Sequence, residues 1–98
     1  MFESFMNENK IVAISVLHSG DQHWGICDIS GKETLTVEIE CLDSNGETFT
    51  LDVSTRYLSK IEDFQTVEYL TERLEEMRFQ GYENEAKNIE KQIKALTE

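Results

Sequence analysis

The sequence predicts an α+β protein: a small five-stranded antiparallel barrel over residues 1–63, followed by a C-terminal αα-hairpin over residues 64–98. Before residue 63, apolar and polar residues alternate with the period of two that is typical of half-buried strands. The Asn45-Gly46 pair marks a tight turn between two such segments. After residue 63 the apolar spacing changes to three and four, which is the helix period. A chain of 98 residues has room for one domain with such an appendage.

The first half of the predicted barrel contains one turn and two strands. The first nine residues form either a short amphipathic helix or a frayed end. Residues 11–17 are β-branched or apolar, apart from one serine, and predict a strand that is buried on much of both faces. Residues 18–23 form the turn, and Trp24–Ile29 is the second strand. Its internal Gly25 indicates a bend, which a small barrel needs in order to close.

The next hairpin has a register that the sequence determines. The apolar face of strands three and four consists of Leu35, Val37, Ile39, Cys41, Phe49, Leu51 and Val53. A two-residue loop would place Ile39 opposite Asp52, whereas the three-residue loop 44–46 pairs Ile39 with Leu51. The glycine of that loop then takes the left-handed conformation, and Glu38 lies opposite Asp52. We expect exposure of the polar alternates, namely Glu38, Glu40, Thr50 and Asp52.

The last predicted strand, Tyr57–Ile61, would close the barrel. Asp63 is the candidate N-cap of the first hairpin helix. Gly81 separates the two helices, each of which carries one apolar stripe. The stripes are Phe64, Val67, Leu70, Leu74 and Met77, then Tyr82, Ala86, Ile89, Ile93 and Leu96.

Charge limits the possible ligands. Residues 1–63 contain twelve acidic and four basic side chains, a net charge of −8, and the whole chain carries −11. Nucleic-acid binding depends on Lys and Arg against phosphate, so we expect no nucleic-acid ligand and instead a protein partner with a basic surface. The carboxylates that would meet this partner are Glu38, Glu40, Asp52, Glu68, Glu72 and Glu76. A merely solvated acidic surface is the alternative interpretation.

No catalytic, cofactor-binding or metal site is predicted, so we expect a protein that is not an enzyme and has no cofactor. His18, Asp21 and His23 are the only cluster that suggests a metal, and polar turns commonly carry such residues without one. Cys27 and Cys41 fit buried apolar positions and a reducing compartment. No apolar run is long enough to span a bilayer, so we expect a cytoplasmic protein with no membrane partner. The single tryptophan is expected either in the core or at an interface.

Part of the chain resembles known small barrels. Four segments resemble the pattern of Sm-like and SH3-like barrels. They are Gly25-Ile26, Leu35–Cys41, Asn45-Gly46 and Leu58–Glu62. The closest resemblance is to uncharacterised proteins of Gram-positive bacteria and their mobile elements, which join such a barrel to a helical tail. The sequence departs from the RNA-binding barrels because it has no basic or Asn-rich loop and because Asp43 and Glu47 flank the last hairpin.

The tail has a weaker resemblance to the UVR helical hairpin, a partner-binding module of repair and protease-adaptor proteins. Residues Tyr82-Glu83, Ala86, Ile89 and Ile93 carry it, without that module's paired alanines.

Taken together, these features predict a non-enzymatic acidic protein-interaction module. One alternative is an inhibitor encoded by a phage or mobile element that mimics nucleic acid and occupies a basic groove of a host or defence protein. Another is a structural homo-oligomer. Because a 35-residue hairpin cannot shield its own apolar stripes, we expect a homodimer. Its interface would consist of Leu70, Leu74, Met77, Ile89, Ile93 and Leu96.

Overall fold

The computed structural model describes residues 1–17 and 21–98 and confirms the α+β class. Its regular elements are α1 (Phe2–Glu8), β1 (Ile11–Val16), β2 (Gln22–Ile26), β3 (Glu33–Asp43), β4 (Thr48–Ser54), α2 (Leu58–Ile61), α3 (Val67–Gln80) and α4 (Glu83–Thr97), with 3₁₀ turns at Thr55–Tyr57 and Glu62–Phe64. Residues 18–20 of the predicted turn lie outside the described residues.

The sheet is built around β3, the longest strand, which pairs antiparallel with the other three. Val37 pairs with both Gln22 and Val53, and Ile39 pairs with both Val16 and Leu51. A strand has only two edges, so β1 and β2 lie end to end along one edge of β3, and β4 takes the other.

The predicted register of the β3–β4 hairpin is confirmed. Ile39 lies opposite Leu51, and Glu38 lies opposite Asp52. The loop is closed by the Asp43 N–H, which donates to the Glu47 carbonyl oxygen at 2.9 Å. Gly46 has φ of 83°, the left-handed conformation that a three-residue loop requires at this position.

Burial on this hairpin agrees with the prediction in part. Val37, Ile39, Cys41 and Val53 are buried, while Phe49 and Leu51 are only partly buried and Leu35 is exposed. Thr50 is exposed as expected, but Glu38, Glu40 and Asp52 are half-buried. The predicted exposure is wrong for Glu40, whose side chain is only 12% exposed, and holds in part for Glu38 and Asp52. The polar face of β3 is partly covered.

The predicted fifth strand is also wrong, and the described residues form a four-stranded open sheet instead of a closed barrel. Residues 55–64 are helical, as two 3₁₀ turns and α2. Tyr57 and Ile61 are both buried, and Phe64 packs against the same core. These residues are spaced by four and three, the helix period, so they face the core together only from a helical backbone.

The main core lies between one face of the sheet and the short helices. Helix α1 buries Phe2 and Met6 completely, which confirms the amphipathic-helix alternative for the N-terminus. The Phe2 ring stacks on Tyr57 with centroids 5.3 Å apart and meets Phe64 edge-on at 5.8 Å. Such aromatic pairs stabilise a core beyond the area that they bury.

The turn after β2 covers the outer edge of β4. β2 ends at Ile26, earlier than predicted, because the chain then turns toward this edge. The Asp28 N–H donates to the Asp52 carbonyl oxygen at 2.8 Å, and the Asp52 N–H donates to Asp28 Oδ2 at 2.7 Å. These bonds satisfy backbone groups at an edge that would otherwise be open.

The helical hairpin forms as predicted, with a different start. The N-cap of α3 is Thr66, whose Oγ1 accepts a hydrogen bond from the Tyr69 N–H at 3.2 Å, so the assignment of Asp63 is wrong. Asp63 lies within a 3₁₀ turn. Gly81 ends α3 with φ of 82°, and the Tyr82 N–H donates to the Met77 carbonyl oxygen. This is a Schellman motif.

Candidate interaction surface

A polar cluster joins the hairpin to the outer face of the sheet. Arg73 Nε lies 2.9 Å from Glu40 Oε1 in an ion pair, and the Tyr69 hydroxyl donates a hydrogen bond to the same oxygen. The Arg73 and Glu40 side chains are only 16% and 12% exposed. Burial, reinforced by the hydrogen bond to the Glu40 carboxylate, raises the pKa of Tyr69, so its hydroxyl stays protonated as the donor. Glu40, predicted to meet a partner, is therefore occupied within the molecule.

Amide side chains of α4 cap the free edge of β1. Asn88 Nδ2 and Gln92 Nε2 both donate to the Val16 carbonyl oxygen at 3.0 Å, and the Val16 N–H donates to Gln92 Oε1 at 3.1 Å. Gln65 Nε2 donates to the same Gln92 oxygen at 2.8 Å. The hairpin thus docks on its own sheet through hydrogen bonds to backbone groups at a strand edge.

The other end of β1 borders a groove. The β1–β3 register shifts between Ile11 and Ala13, and Val12 at this bulge is 50% exposed. The groove has a volume of about 300 Å³, and its lining consists of Val12, Ala13, Leu42, Thr66, Glu68, Tyr69 and Glu72. Its wall is therefore largely apolar on the strand side and acidic on the helix side.

The six predicted partner-binding carboxylates fall into two groups. Glu68 and Glu72 are exposed at the groove, and they have no ion-pair partner in the parts of the chain that the structure describes. The others interact within the molecule. Besides Glu40, Glu76 pairs with Arg73 at 2.6 Å, and Asp52 Oδ1 lies 3.7 Å from His23 Nε2.

The predicted oligomer-forming stripe is partly used inside the hairpin. Leu70 and Ile89 are buried, whereas Leu74, Met77, Ile93 and Leu96 are half-buried. Sequence reasoning missed Tyr69, which is buried beside Leu70. Because Tyr69 carries a polar hydroxyl, the sequence pattern does not place it in the apolar stripe of α3. The buried side of α3 includes a polar contact, which that hydroxyl makes.

The two cysteines are buried and unpaired, as the apolar pattern predicts. Burial, together with the charge of Glu40, raises the pKa of Cys41 to about 12. Burial opposes ionisation of Cys27 as well. Hydrogen bonds from Ser30, from the Ser54 N–H and from the Ile29 N–H outweigh that effect and lower the pKa of Cys27.

Two exposed aromatic side chains lie away from the groove. Trp24 is 66% exposed, and its indole N–H donates to Glu33, so a core position for Trp24 is wrong. Ile26, on the same strand, is 62% exposed. Phe79, near the tip of the hairpin, is 93% exposed.

The described residues provide no cluster of three or more His, Cys, Asp or Glu side chains that could hold a metal ion. His18 of the predicted cluster lies outside these residues, and His23 contacts Asp52. Across residues 1–17 and 21–98, no helix has the length and apolar character that crossing a membrane requires.

Comparisons of the chain with protein-family models, with curated proteins and with solved structures find no match.

Proposed function

We propose that this protein is a non-enzymatic interaction module whose groove between β1 and α3 binds a basic segment of a partner protein. The observation that carries the proposal is the pairing of an apolar strand wall with Glu68 and Glu72 on the opposite side. Lys and Arg side chains have apolar stems and charged heads. The apolar wall of the groove can contact the stems while the carboxylates pair with the heads.

Charge favours the same class of partner. The net charge of −11 attracts basic surfaces over long range and raises the rate of encounter. Within the groove, Glu68 and Glu72 are the acidic side chains that no neighbouring cation neutralises in the described structure. We therefore assign partner recognition to these two residues rather than to Glu40 or Glu76.

Capture from a cell lysate at low and high salt tests this function, with variants that separate local from overall charge. The Glu68→Gln/Glu72→Gln variant should lose partners that the intact protein retains at low salt. Glu3→Gln/Glu8→Gln is the matched control because it removes the same charge from exposed positions on α1. Equal capture by both variants would contradict a role for the groove.

Mimicry of nucleic acid is the alternative form of this function. Glu68, Glu72 and Glu76 follow one another at intervals of four residues, about 6 Å apart along the helix axis. Arg73 neutralises the third of them, which shortens the acidic row and favours groove binding over mimicry. Duplex DNA as a competitor separates the two at a salt concentration that abolishes non-specific binding of basic segments to DNA, since a partner held by mimicry is then still released.

Three further expectations belong to this proposal. Unpaired thiols at Cys27 and Cys41 suit the cytoplasm. The negative charge opposes contact with nucleic acid or with an anionic membrane surface. A structural homodimer is the alternative association. It would use the half-buried part of the hairpin stripe, namely Leu74, Met77, Ile93 and Leu96.

A further inference from the structure

One cavity in this acidic molecule is lined with cations. It has a volume of about 290 Å³, and Lys32, Arg56 and Lys60 line it together with Ser30 and Tyr57. Residues 1–63 contain four basic side chains, and three of them meet here. A second recess adjoins the cavity and shares Ser30, Lys32 and Arg56 with it.

The cations come from three separate elements that the fold brings together. Lys32 lies in the turn between β2 and β3, Arg56 in the 3₁₀ turn after β4, and Lys60 in α2. The Arg56 backbone N–H donates to Ser54 Oγ at 3.3 Å, and its guanidinium carbon lies 5.9 Å from the Tyr57 ring centroid. The Lys32 N–H donates to Ser30 Oγ at 3.4 Å. The backbone of this cavity is therefore anchored.

Within residues 1–17 and 21–98, no carboxylate forms an ion pair with this cluster. The ion pairs among the described residues involve His23, Arg73, Arg78 and Lys94, and none involves a cation of the cavity. The lining of the adjoining recess includes one acidic residue, Glu33, which accepts a hydrogen bond from the Trp24 indole. Three cations that line one cavity concentrate positive charge there, and all three attract an anion that enters it.

We propose that this cavity binds a small dianionic oxyanion, of the class of inorganic phosphate and phosphate monoesters. Arg56 supplies paired N–H donors in a planar fork, and Lys32 and Lys60 supply compact ammonium charges, which is the usual division of work at phosphate sites. A small dianion meets these groups locally, whereas an extended polyanion would also meet the net charge of −11.

The test is a titration of the whole ¹⁵N-labelled protein with inorganic phosphate at constant ionic strength, followed by NMR amide shifts. We expect saturable shifts centred on the amides of Ser30, Lys32 and Arg56. Glycerol phosphate forms the second arm. Tighter binding than for inorganic phosphate identifies a phosphate monoester as the ligand, and the reverse identifies free phosphate.

Variants show whether the cavity is responsible. Arg56→Gln/Lys60→Gln should weaken phosphate binding at least about tenfold, because both charge-assisted contacts are lost. Lys87→Gln/Lys91→Gln on α4 removes the same charge from exposed positions and should leave binding unchanged. Arg56 and Lys60 are exposed side chains, so their replacement preserves the fold, which the unchanged remainder of the spectrum verifies.

Three results would overturn the proposal. They are the absence of saturable shifts at millimolar phosphate, an equal loss of binding in the two variants, and tighter binding of single-stranded RNA at the same amides. The last result would replace a small-anion site with a nucleic-acid surface.

Discussion

At the scale of residues, the contact between Arg73 and Glu40 decides how the hairpin meets the sheet. Both side chains are largely buried and have lost most of their hydration. Each charge is therefore stabilised by the opposite charge of the other. Sequence patterning gave no sign of this pair, because a carboxylate on the polar face of a strand and an arginine in an acidic helix both read as solvent-exposed. Their role follows only from the docking of α3.

Removal of one partner tests the pair. Arg73→Met should lower the free energy of unfolding by about 1–3 kcal/mol, since it leaves Glu40 half-buried with only the Tyr69 hydroxyl as a partner. Glu76→Gln is the control, because Glu76 also contacts Arg73 but is 49% exposed. It should change stability by less than about 0.5 kcal/mol. Urea unfolding measures both changes in stability. Equal changes would show that the contact with Glu40 stabilises the fold no more than the contact with Glu76.

From the raised pKa of the buried Cys41 thiol, we expect a loss of stability at alkaline pH. Its pKa is raised from 9.0 to about 12 by burial and by Glu40, so the folded state retains a proton that the unfolded chain releases. The stabilisation is complete below pH 9.0 and is lost as the pH rises through about 12. At about 1.4 kcal/mol per pKa unit, the full effect is on the order of 4 kcal/mol.

Denaturant unfolding between about pH 8 and pH 11 measures the effect, because stability already falls by about 1.4 kcal/mol per pH unit once the pH exceeds 9.0. Cys41→Val has no thiol to ionise, so its stability should fall less steeply with pH than that of the wild type. Lysine and tyrosine ionisation is common to both proteins and cancels in the comparison. Parallel curves would contradict the assignment to Cys41.

At the scale of elements, the chain divides into parts that local patterns determine and parts that tertiary contacts determine. The β3–β4 hairpin belongs to the first kind, because alternation and loop length together permit one register that buries Ile39. The strand prediction for Tyr57–Ile61 is wrong because apolar residues four positions apart fit the strand period and the helix period equally well. Only the core contacts of Phe64, seven residues after Tyr57, select the helix.

The docking of α4 belongs to the second kind. Gln92 and Asn88 are polar residues at unremarkable helix positions, yet they cap the Val16 backbone, 72 residues or more away in sequence. No periodic signal marks such a contact. The same holds for the cationic cavity, whose three side chains come from three elements.

Gln92 therefore provides a test of the docking. Gln92→Ala removes an acceptor from the Val16 N–H and a donor from its carbonyl oxygen, and should cost about 1–3 kcal/mol of unfolding free energy. Lys91→Ala, an adjacent exposed change on α4, is the control and should be nearly neutral. Hydrogen exchange at the Val16 amide gives a local measurement. Unchanged protection in Gln92→Ala would show that the amide cap does not hold the strand edge.

At the scale of the whole molecule, the hairpin and the sheet form one structure through contacts within the chain. The homodimer expectation rests on a hairpin that cannot cover its own apolar stripes. The hairpin instead docks on its own sheet through polar contacts with Glu40 and the edge of β1, and these contacts need no apolar position on the sheet. A dimer interface would then consist only of the half-buried residues of the hairpin stripe, namely Leu74, Met77, Ile93 and Leu96.

Light scattering on the intact chain and on a chain truncated after Asp63 tests this arrangement. With the hairpin docked on its own sheet, the intact chain should have the mass of one 11.4 kDa copy. The truncated chain should be less stable, because Glu40 and the Val16 edge lose their partners. A mass of two copies for the intact chain would restore the homodimer.

NMR mapping with an oligolysine peptide tests the proposed recognition of a basic segment by the groove between β1 and α3. At moderate salt the amide shifts should centre on Val12, Leu42 and the first turns of α3. They should weaken strongly in Glu68→Gln/Glu72→Gln and persist in Glu3→Gln/Glu8→Gln. Shifts spread evenly over the acidic surface, or an equal loss in both variants, would show that the charge is only solvated and would contradict the claim.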